Sequence, residues 1–477
     1  MDLEISRAEF ALDRRSRSYV PSQEVQTRPA EERVCDFNDA VIPMTAEQAM
    51  FEAMRCVQCP DPAPCVLACP THNNIPLAMW YIEQGSFVEA AKLYRETSSL
   101  PEMCGRVCPH EQLCQGSCSM NKSNDPVLTG ALEAFAVEYQ RQTEGVEIPV
   151  GASTGKKVAV VGAGPAGLGC AEQLVRKGHA VTIFESKPDG GGLLTYGIPN
   201  FKLPKEAVFA RVEDFKRAGV EFVFNTYIGK DRTIDGLLEE FDAVFVGIGT
   251  EIDAPMEVEG ETLPGVYKAT EYLIRANIPY ELQPENMKGK PEVGKKVVVV
   301  GGGDTASDCL RSSLRLGAQE VTCVYRRTVK EMPGGAHDRE LAMQEGARYL
   351  FLTQPVRFIA GENGRLSVIE CIRMELGEPD KKGRRKPVAV EGSNFVIEAD
   401  TAILALGYWP DPIIMNTTPN LKTDKWGLIN ADTATGLTSR PGVFAGGDDV
   451  TGPSLVVTAM VAGRKAAASI DAYLMGK

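Results

Sequence analysis

The stretch KVAVVGAGPAG, residues 157–167, predicts the fold of the chain. Its first five residues form an apolar and mostly β-branched run, which is typical of a buried strand. Three glycines follow, and after them a helical pattern continues to about Lys177. A buried strand that turns through glycines directly into a helix begins a parallel βαβ unit, so we expect an α/β fold.

The same stretch predicts a ligand. Its glycines permit a tight turn and a close backbone approach, and the first amides of the helix can hold a pyrophosphate. The next predicted strand, Ala180 to Phe184, ends at an acid 23 residues after the first glycine, where a carboxylate can accept a hydrogen bond from a ribose 2′-hydroxyl. The predicted dinucleotide site consists of Gly162, Gly164, Pro165, Ala166, Gly167 and Glu185.

A second copy of the pattern begins at KVVVVGGGDTA, residues 296–306, and is followed by a helix and a strand from Glu320 to Tyr325. This strand ends in two arginines instead of an acid. Arginine pairs with a 2′-phosphate that an acid would repel, which favours NADP over NAD, although two arginines after a strand can also be a solvated charge pair. The predicted NADPH-binding residues are Gly301, Gly303, Asp304, Thr305, Ala306, Arg326 and Arg327.

A third glycine motif, GVFAGGD at residues 442–448, precedes a predicted helix of small residues. It resembles the second FAD motif of flavoproteins with two dinucleotide-binding domains. That resemblance implies that Gly447 and Asp448 belong to an FAD site, in which Asp448 would hold the ribityl hydroxyls. Two apolar runs, Val244 to Gly249 and Thr401 to Gly407, resemble the points where the chain of such proteins crosses between domains. We therefore expect an FAD domain in two segments, 151–289 and 408–477, with an NADPH domain, 290–407, inserted between them.

Eight of the 13 cysteines lie between Cys56 and Cys118, within a region, residues 1–150, that is otherwise predicted to be helical. Thiolates at this density, with a Cys-Pro pair at Cys69 and again at Cys108, are typical of cubane iron–sulfur clusters. Structural zinc is the main alternative, because Cys-x-x-Cys also binds zinc. Five residues separate Cys59 from Cys65, where a ferredoxin-type run has two, so the loop PDPAP must bulge if both sulfurs bind one cluster.

The composition indicates a globular protein of about three domains in its 477 residues. A net charge of −13 disfavours binding to nucleic acid or to an anionic membrane, and no apolar run is long enough for a transmembrane helix. The first ten residues, MDLEISRAEF, lack the apolar segment of a signal peptide. We therefore expect a cytoplasmic protein and no disulfide framework.

Taken in order, these motifs resemble one family of flavin and iron–sulfur oxidoreductases. It includes the small (beta) subunit of NADPH-dependent glutamate synthase and the N-terminal half of dihydropyrimidine dehydrogenase. Further stretches carry the resemblance over nearly the whole chain: CPTHNNIP (69–76), CGRVCPHEQLCQGSC (104–118), GGLLTYGIPNFKLPK (191–205), DKWGLI (424–429) and LVVTAMVAGR (455–464). The resemblance implies two Rossmann-like domains, for FAD and NADPH, preceded by an all-α domain with two 4Fe–4S clusters. It also adds Gly192 and Leu193 to the flavin site.

The resemblance further implies how the cluster ligands are shared. One cluster would be held by Cys56, Cys59, Cys65 and Cys118. The other would be held by Cys69, Cys108, Cys114 and, from the stretch Gly130-Ala-Leu-Glu133, the carboxylate of Glu133. Counting cysteines alone favours Cys104 as this eighth ligand, and Cys104 remains the alternative.

The family implies that electrons pass from NADPH through FAD and the two clusters to a partner in a hetero-oligomer. The most probable partner by this resemblance is the glutamate synthase large subunit, which would supply FMN and the glutamine chemistry, or an equivalent electron-accepting subunit. Alternatives are a subunit of a flavin-based NADPH:ferredoxin transhydrogenase or sulfide dehydrogenase, and a generic electron-delivery module. No protein acid or base is predicted, and the isolated Cys309, Cys323 and Cys371 argue against a disulfide reductase.

Overall fold

The computed structural model describes residues 13–379 and 383–476. The prediction from MDLEISRAEF concerns residues 1–10 and lies outside the described residues. An all-α N-terminal region is followed by two parallel sheets with helices, which confirms the predicted fold class. In the part of the chain that the structure describes, no helix is both long and apolar enough to cross a bilayer.

The N-terminal region is helical because apolar residues recur at helical spacing. The sequence pattern of Thr45 and Gln48 predicts a capping box, and the structure has it, because each side chain accepts the other's backbone N–H, at 3.2 and 2.9 Å. The helical spacing of Phe87, Ala90, Ala91 and Tyr94 predicts a core face, and these residues are buried. The α-helices are Arg14–Arg17, Ala30–Arg33, Ala46–Met54, Pro64–Ala68, Ile75–Glu83, Phe87–Thr97, Pro101–Val107 and Thr129–Thr143, with 3₁₀ turns at His110–Gln112 and Ser119–Lys122.

The first parallel sheet is built from two separate parts of the chain. Across the sheet its strands run Val443–Ala445, Ala243–Val246, Lys157–Val161, Ala180–Phe184 and Glu221–Val223. This is the strand order of a doubly wound fold, in which the first strand lies at the centre. The helices of this first α/β unit are Pro165–Arg176, Leu193–Tyr196, Lys205–Arg217, Ile234–Leu238, Ile413–Thr417, Asp448–Thr451 and Val456–Met475.

The second parallel sheet lies between these two parts in sequence. Its strands run Val266–Lys268, Thr401–Leu404, Lys296–Val300, Glu320–Tyr325 and Arg348–Phe351. The helices of this second α/β unit are Ala269–Asn277, Asp304–Arg315 and Ala336–Gln344, with 3₁₀ turns at Tyr280–Leu282, Glu285–Met287 and Val329–Glu331. Val266–Lys268 lies before residue 290 yet pairs with Thr401–Leu404, so we propose that the second unit begins ahead of Val266.

An antiparallel sheet that the sequence did not indicate is inserted before the last strand of the second unit. It consists of Thr353–Ala360, Leu366–Pro379, Arg385–Ala389 and Phe395–Glu398. The two α/β units are joined where Ile252–Asp253 pairs with Tyr408–Trp409. This ribbon lies directly after the two apolar runs that were predicted as crossing points.

Residues 27–41, which we call the N-terminal strap, connect the helical region to both α/β units. Ala40 donates its backbone N–H to the carbonyl of Phe201, in the first unit, at 3.0 Å. In the second unit, the guanidinium of Arg33 lies 3.0 Å from the carboxylate of Glu345. Both of these charged side chains are buried.

Candidate functional site

The first glycine motif forms a close-packed turn at the end of Lys157–Val161. Gly162 has a φ of +100°, and a Cβ there would lie 2.5 Å from the carbonyl oxygen of Gly247. A Cβ at Gly167 would lie 1.9 Å from the carbonyl oxygen of Gly162, because the helix packs directly on the strand. Gly164 is different, since a Cβ there would meet only the Cα of Gly192, at 3.9 Å. The outer glycines serve packing, whereas the middle one leaves room for a ligand.

The helix that follows offers free backbone donors at its start. Gly164 is its N-cap, Pro165 and Ala166 open it, and no side chain caps it, so its first N–H groups can bind an anion. Glu185 lies beside this turn and is buried, and its carboxylate accepts the backbone N–H of Ala163 at 2.8 Å. The structure thus brings all six residues of the predicted first dinucleotide site together.

The C-terminal glycine motif meets the first one. A Cβ at Gly447 would lie 2.9 Å from the Cβ of Ala166. Asp448 begins the next helix, its Oδ1 is buried without a hydrogen-bond partner among the described residues, and burial raises the pKa of its carboxyl to about 6. A buried acceptor that lacks a donor suits a ligand rich in hydroxyls, as the ribityl chain of FAD is.

The loop predicted from the stretch 191–205 closes over the first motif. Gly192 has a φ of +55°, and a Cβ there would lie 2.9 Å from the Cα of Gly164. Gly191 donates its N–H to the carbonyl of Ala163 at 2.8 Å. Leu193 begins the helix Leu193–Tyr196 at this point. The predicted residues Gly192 and Leu193 therefore lie beside the first motif, where they could contact a bound dinucleotide.

The second copy repeats this architecture. Gly301 ends the strand Lys296–Val300, and a Cβ there would lie 2.2 Å from the carbonyl oxygen of Ala405. At Gly303, which begins the next helix, a Cβ would meet only Pro333 Cγ, at 4.0 Å. The remaining predicted residues, Asp304, Thr305 and Ala306, form the first turn of that helix. This site too has a turn that permits only glycine, an open second position and a helix start without a side-chain cap.

Arg326 and Arg327 directly follow the strand Glu320–Tyr325, which neighbours the glycine turn. Arg326 is exposed, and burial of part of its guanidinium together with the positive charge of Arg327 lowers its pKa. Arg327 donates from Nε to the carbonyl of Arg385, in the inserted sheet, at 2.9 Å. Arg326 is therefore the better placed of the two to receive an anion from solvent.

The cysteines surround two cavities. The first cavity is lined by the four thiols that the resemblance assigns to one cluster, Cys56, Cys59, Cys65 and Cys118. Burial and the neighbouring thiols Cys118 and Cys59 raise the pKa of the Cys56 thiol to about 12. Metal binding requires thiolates, so iron would displace these protons when it binds.

The second cavity is lined by Cys69, Cys108, Cys114 and Glu133, and also by Cys104. Glu133 is buried, its Oε1 has no hydrogen-bond partner among the described residues, and burial raises its pKa well above the usual range. Hydrogen bonds do not distinguish Cys104 from the other thiols, because Ser98 donates to its sulfur at 3.9 Å while the sulfurs of Cys69 and Cys114 lie 3.0 Å from the hydroxyls of Thr71 and Thr129. A carboxylate without a partner among thiols suits a metal ligand.

Within the described residues, no group of three or more His, Cys, Asp or Glu side chains could hold a single metal ion. Each set of thiols lines a cavity, as the ligands of a four-iron cluster would.

The two cavities and the flavin motif are neighbours in space. Ile75 and Thr129 line both cavities, which therefore share a wall. The second cavity is also lined by Val457, from the first turn of the helix Val456–Met475. That helix follows the motif containing Asp448 within a few residues. In space, the second cavity therefore lies between the flavin motif and the first cavity.

Three residues near the sites were missed from the sequence. Asp449 is fully buried and accepts the N–H of Ile248 at 3.1 Å, next to Asp448. His110 lines the second cavity and burial lowers its pKa to about 4, while Tyr94 lines the same cavity and was predicted only as core. The neighbouring Cys108-Pro109 could have drawn attention to His110, but no local signal marks Tyr94.

Comparisons with known proteins agree with this geometry. Residues 33–145 match a family model described as dihydropyrimidine dehydrogenase domain II, 4Fe–4S cluster, and residues 156–463 match one for pyridine nucleotide-disulphide oxidoreductases. The small chain of NADPH glutamate synthase from Escherichia coli is 42% identical over 459 residues, which cover 94% of this chain and 96% of that protein. The chain belongs to the family of iron–sulfur flavoproteins that includes this small chain.

Another member of this iron–sulfur flavoprotein family, the oxidoreductase AegA of E. coli, is also 42% identical, over 93% of this chain and 68% of AegA. The solved structure of Mycobacterium tuberculosis FprA in complex with NADPH has a TM-score of 0.58 at 21% identity, over 67% of this chain and 85% of FprA, which shows a shared fold. As a family member, the protein is an oxidoreductase that uses FAD, NADPH and 4Fe–4S clusters.

Proposed function

We propose that this protein oxidises NADPH and delivers the electrons singly, through FAD and then through two 4Fe–4S clusters, to a partner subunit. One observation carries the proposal. Val457, from the last helix of the flavin unit, lines the second cavity, and Ile75 and Thr129 line both cavities. Redox groups in the two cavities would therefore be neighbours, with the second cavity next to the flavin unit, and short distances favour electron transfer.

Bound FAD would take a hydride from NADPH, and the clusters would accept and pass single electrons. The protein's own residues bind, orient and insulate these groups. The uncapped helix beginning at Pro165 supplies backbone donors for a pyrophosphate, and Asp448 supplies an acceptor for ribityl hydroxyls. Cys56, Cys59, Cys65 and Cys118 would hold one cluster, and Cys69, Cys108, Cys114 and Glu133 the other.

The proposed partner is the large subunit of glutamate synthase, in a hetero-oligomer. Support comes from the E. coli small chain, which matches this protein along 96% of its own length. The many unpaired thiols among the described residues suit a reducing compartment, so the cytoplasm is the proposed location.

Reconstitution tests the proposal. The purified chain should reduce an artificial dye with NADPH, and it should make no glutamate from glutamine and 2-oxoglutarate until a glutamate synthase large subunit from the same organism is added. Variants Cys56→Ala and Cys69→Ala should each abolish glutamate formation, while flavin reduction by NADPH continues. Glutamate formation by the chain alone would refute the proposal.

AegA has the same sequence identity to this chain, 42%, as the E. coli glutamate synthase small chain, and its name does not mention glutamate. This equal identity favours a second function. In that case the same path would serve another acceptor, as in a ferredoxin transhydrogenase or sulfide dehydrogenase subunit. Purification from native cells distinguishes the glutamate synthase function from this second function, because the subunit that copurifies with the chain identifies the electron acceptor.

A further inference from the structure

The second cavity contains three buried polar side-chain atoms that have no hydrogen-bond partner among the described residues. They are Tyr94 Oη, His110 Nε2 and Glu133 Oε1. Leaving a polar group buried and unsatisfied costs about 1–3 kcal/mol, so three in one cavity point to a polar occupant. Glu133 is accounted for as a proposed ligand, and the tyrosine has no assigned role.

Tyr94 is held firmly in this position. It lies on the inner face of the helix Phe87–Thr97 and is only 2% exposed. A phenol is protonated at neutral pH, so its hydroxyl is a hydrogen-bond donor.

The acceptor for this donor would be an occupant of the cavity. Tyr94 lines the cavity together with the four proposed ligands of the second cluster, Cys69, Cys108, Cys114 and Glu133. With iron bound, the cysteines become thiolates and the cluster adds sulfides, so anionic sulfur faces the phenol.

We propose that the Tyr94 hydroxyl donates a hydrogen bond to an anionic sulfur of the second cluster and thereby raises the reduction potential of that cluster. Reduction adds negative charge, so a donor stabilises the reduced form more than the oxidised form. The inference rests on the proposed function, because it needs the cluster at this site.

The test is Tyr94→Phe in the full-length chain, because it removes one oxygen and keeps the ring in the core. Redox titration followed by electron paramagnetic resonance should show one of two clusters shifted to a more negative midpoint potential, with the other unchanged and full iron content. Tyr139→Phe is the matched control, since Tyr139 lies in the same helical region, packs against Phe87 and is 37% exposed. It should shift neither potential.

Unchanged potentials for both clusters in Tyr94→Phe would overturn the inference while leaving the proposed function intact. Loss of about four irons would also overturn it, because the hydroxyl would then hold the cluster instead of tuning it. A wild-type chain that contains zinc and gives no cluster signal would defeat the proposed function itself.

Discussion

Lys202 and Asp308 form a buried ion pair across the boundary between the two α/β units, with 2.9 Å between Nζ and Oδ1. The same ammonium lies 2.8 Å from the carboxylate of Asp338. Both acids belong to the second unit, while the lysine follows Phe201, whose ring lies 4.5 Å from the guanidinium of Arg311. Lys202 thus pairs with two acids of the neighbouring unit and contributes to the contact between the unit of the predicted NADPH site and that of the flavin site.

Lys202→Met should loosen this contact. It removes the cation paired with Asp308, whereas Asp338 keeps the Arg311 guanidinium at 3.5 Å, and losing a charge-assisted contact costs about 1.5–3 kcal/mol. We expect a lower unfolding midpoint and slower bleaching of the flavin by NADPH in stopped-flow measurements. Lys156→Met removes an exposed pair with Asp242 and should change stability by less than about 1 kcal/mol. Equal effects of the two variants would contradict a role for Lys202 in orienting the units.

FAD retention should depend on pH through Asp448. Burial raises the pKa of this carboxyl to about 6, so it is ionised above pH 6 and protonated below. The ionised form accepts ribityl hydroxyls better, and FAD should therefore be released more readily as the pH falls below about 6. Flavin fluorescence on release measures this.

Asp448→Asn should weaken FAD about 10- to 100-fold at neutral pH, because a hydrogen bond to a charged group is worth ~1.5–3 kcal/mol, and it should flatten the pH dependence. The exposed Glu213→Gln serves as control and should retain the wild-type pH dependence. The assay should run from about pH 5 to about pH 8, on both sides of the Asp448 pKa. Wild-type FAD retention that does not change over this range would argue against the predicted role of Asp448.

Arg326→Gln should weaken NADPH binding about 10- to 100-fold, because one charge-assisted contact to the 2′-phosphate is lost. NADH turnover should change little, since NADH has no such phosphate. Steady-state kinetics with both cofactors measure the difference, and Arg357→Gln, on the inserted sheet, is the control. Arg327→Gln should also disturb the inserted sheet, because its Nε contacts the Arg385 carbonyl. If Arg326→Gln lowered kcat/KM equally for NADPH and NADH, the role of Arg326 would be structural only.

Glu133→Ala should lose about four of roughly eight irons while FAD stays bound, because it removes the proposed eighth ligand. Cys104→Ala should keep both clusters, because the proposed ligand set already supplies four donors to each cluster. Iron and acid-labile sulfide analysis, with flavin absorbance, distinguishes them. If Cys104→Ala instead lost about four irons and Glu133→Ala lost none, Cys104 would be the ligand and Glu133 only a buried core residue.

The dinucleotide motifs could be predicted residue by residue from the sequence. The strand Lys157–Val161, the turn at Gly162 and the helix from Pro165 are contiguous, and their geometry depends on local backbone preferences. The second copy was predicted equally well for the same reason. The strand Val266–Lys268 was missed because three residues carry almost no periodic signal, and the inserted antiparallel sheet was missed because the prediction covered only the glycine motifs of that unit.

The sequence by itself indicated the residues proposed to bind the cofactors: the glycine turns, the acid or arginine after each second strand, and a pool of thiols. Only the tertiary structure decided how they are combined. Cys118 joins Cys56 across 62 positions, Val457 enters a cavity of the helical region, and Lys202 pairs with Asp308. Turns and caps depend on neighbours in the chain, whereas a cavity wall or a buried ion pair depends on how distant helices pack, and no local pattern encodes that packing.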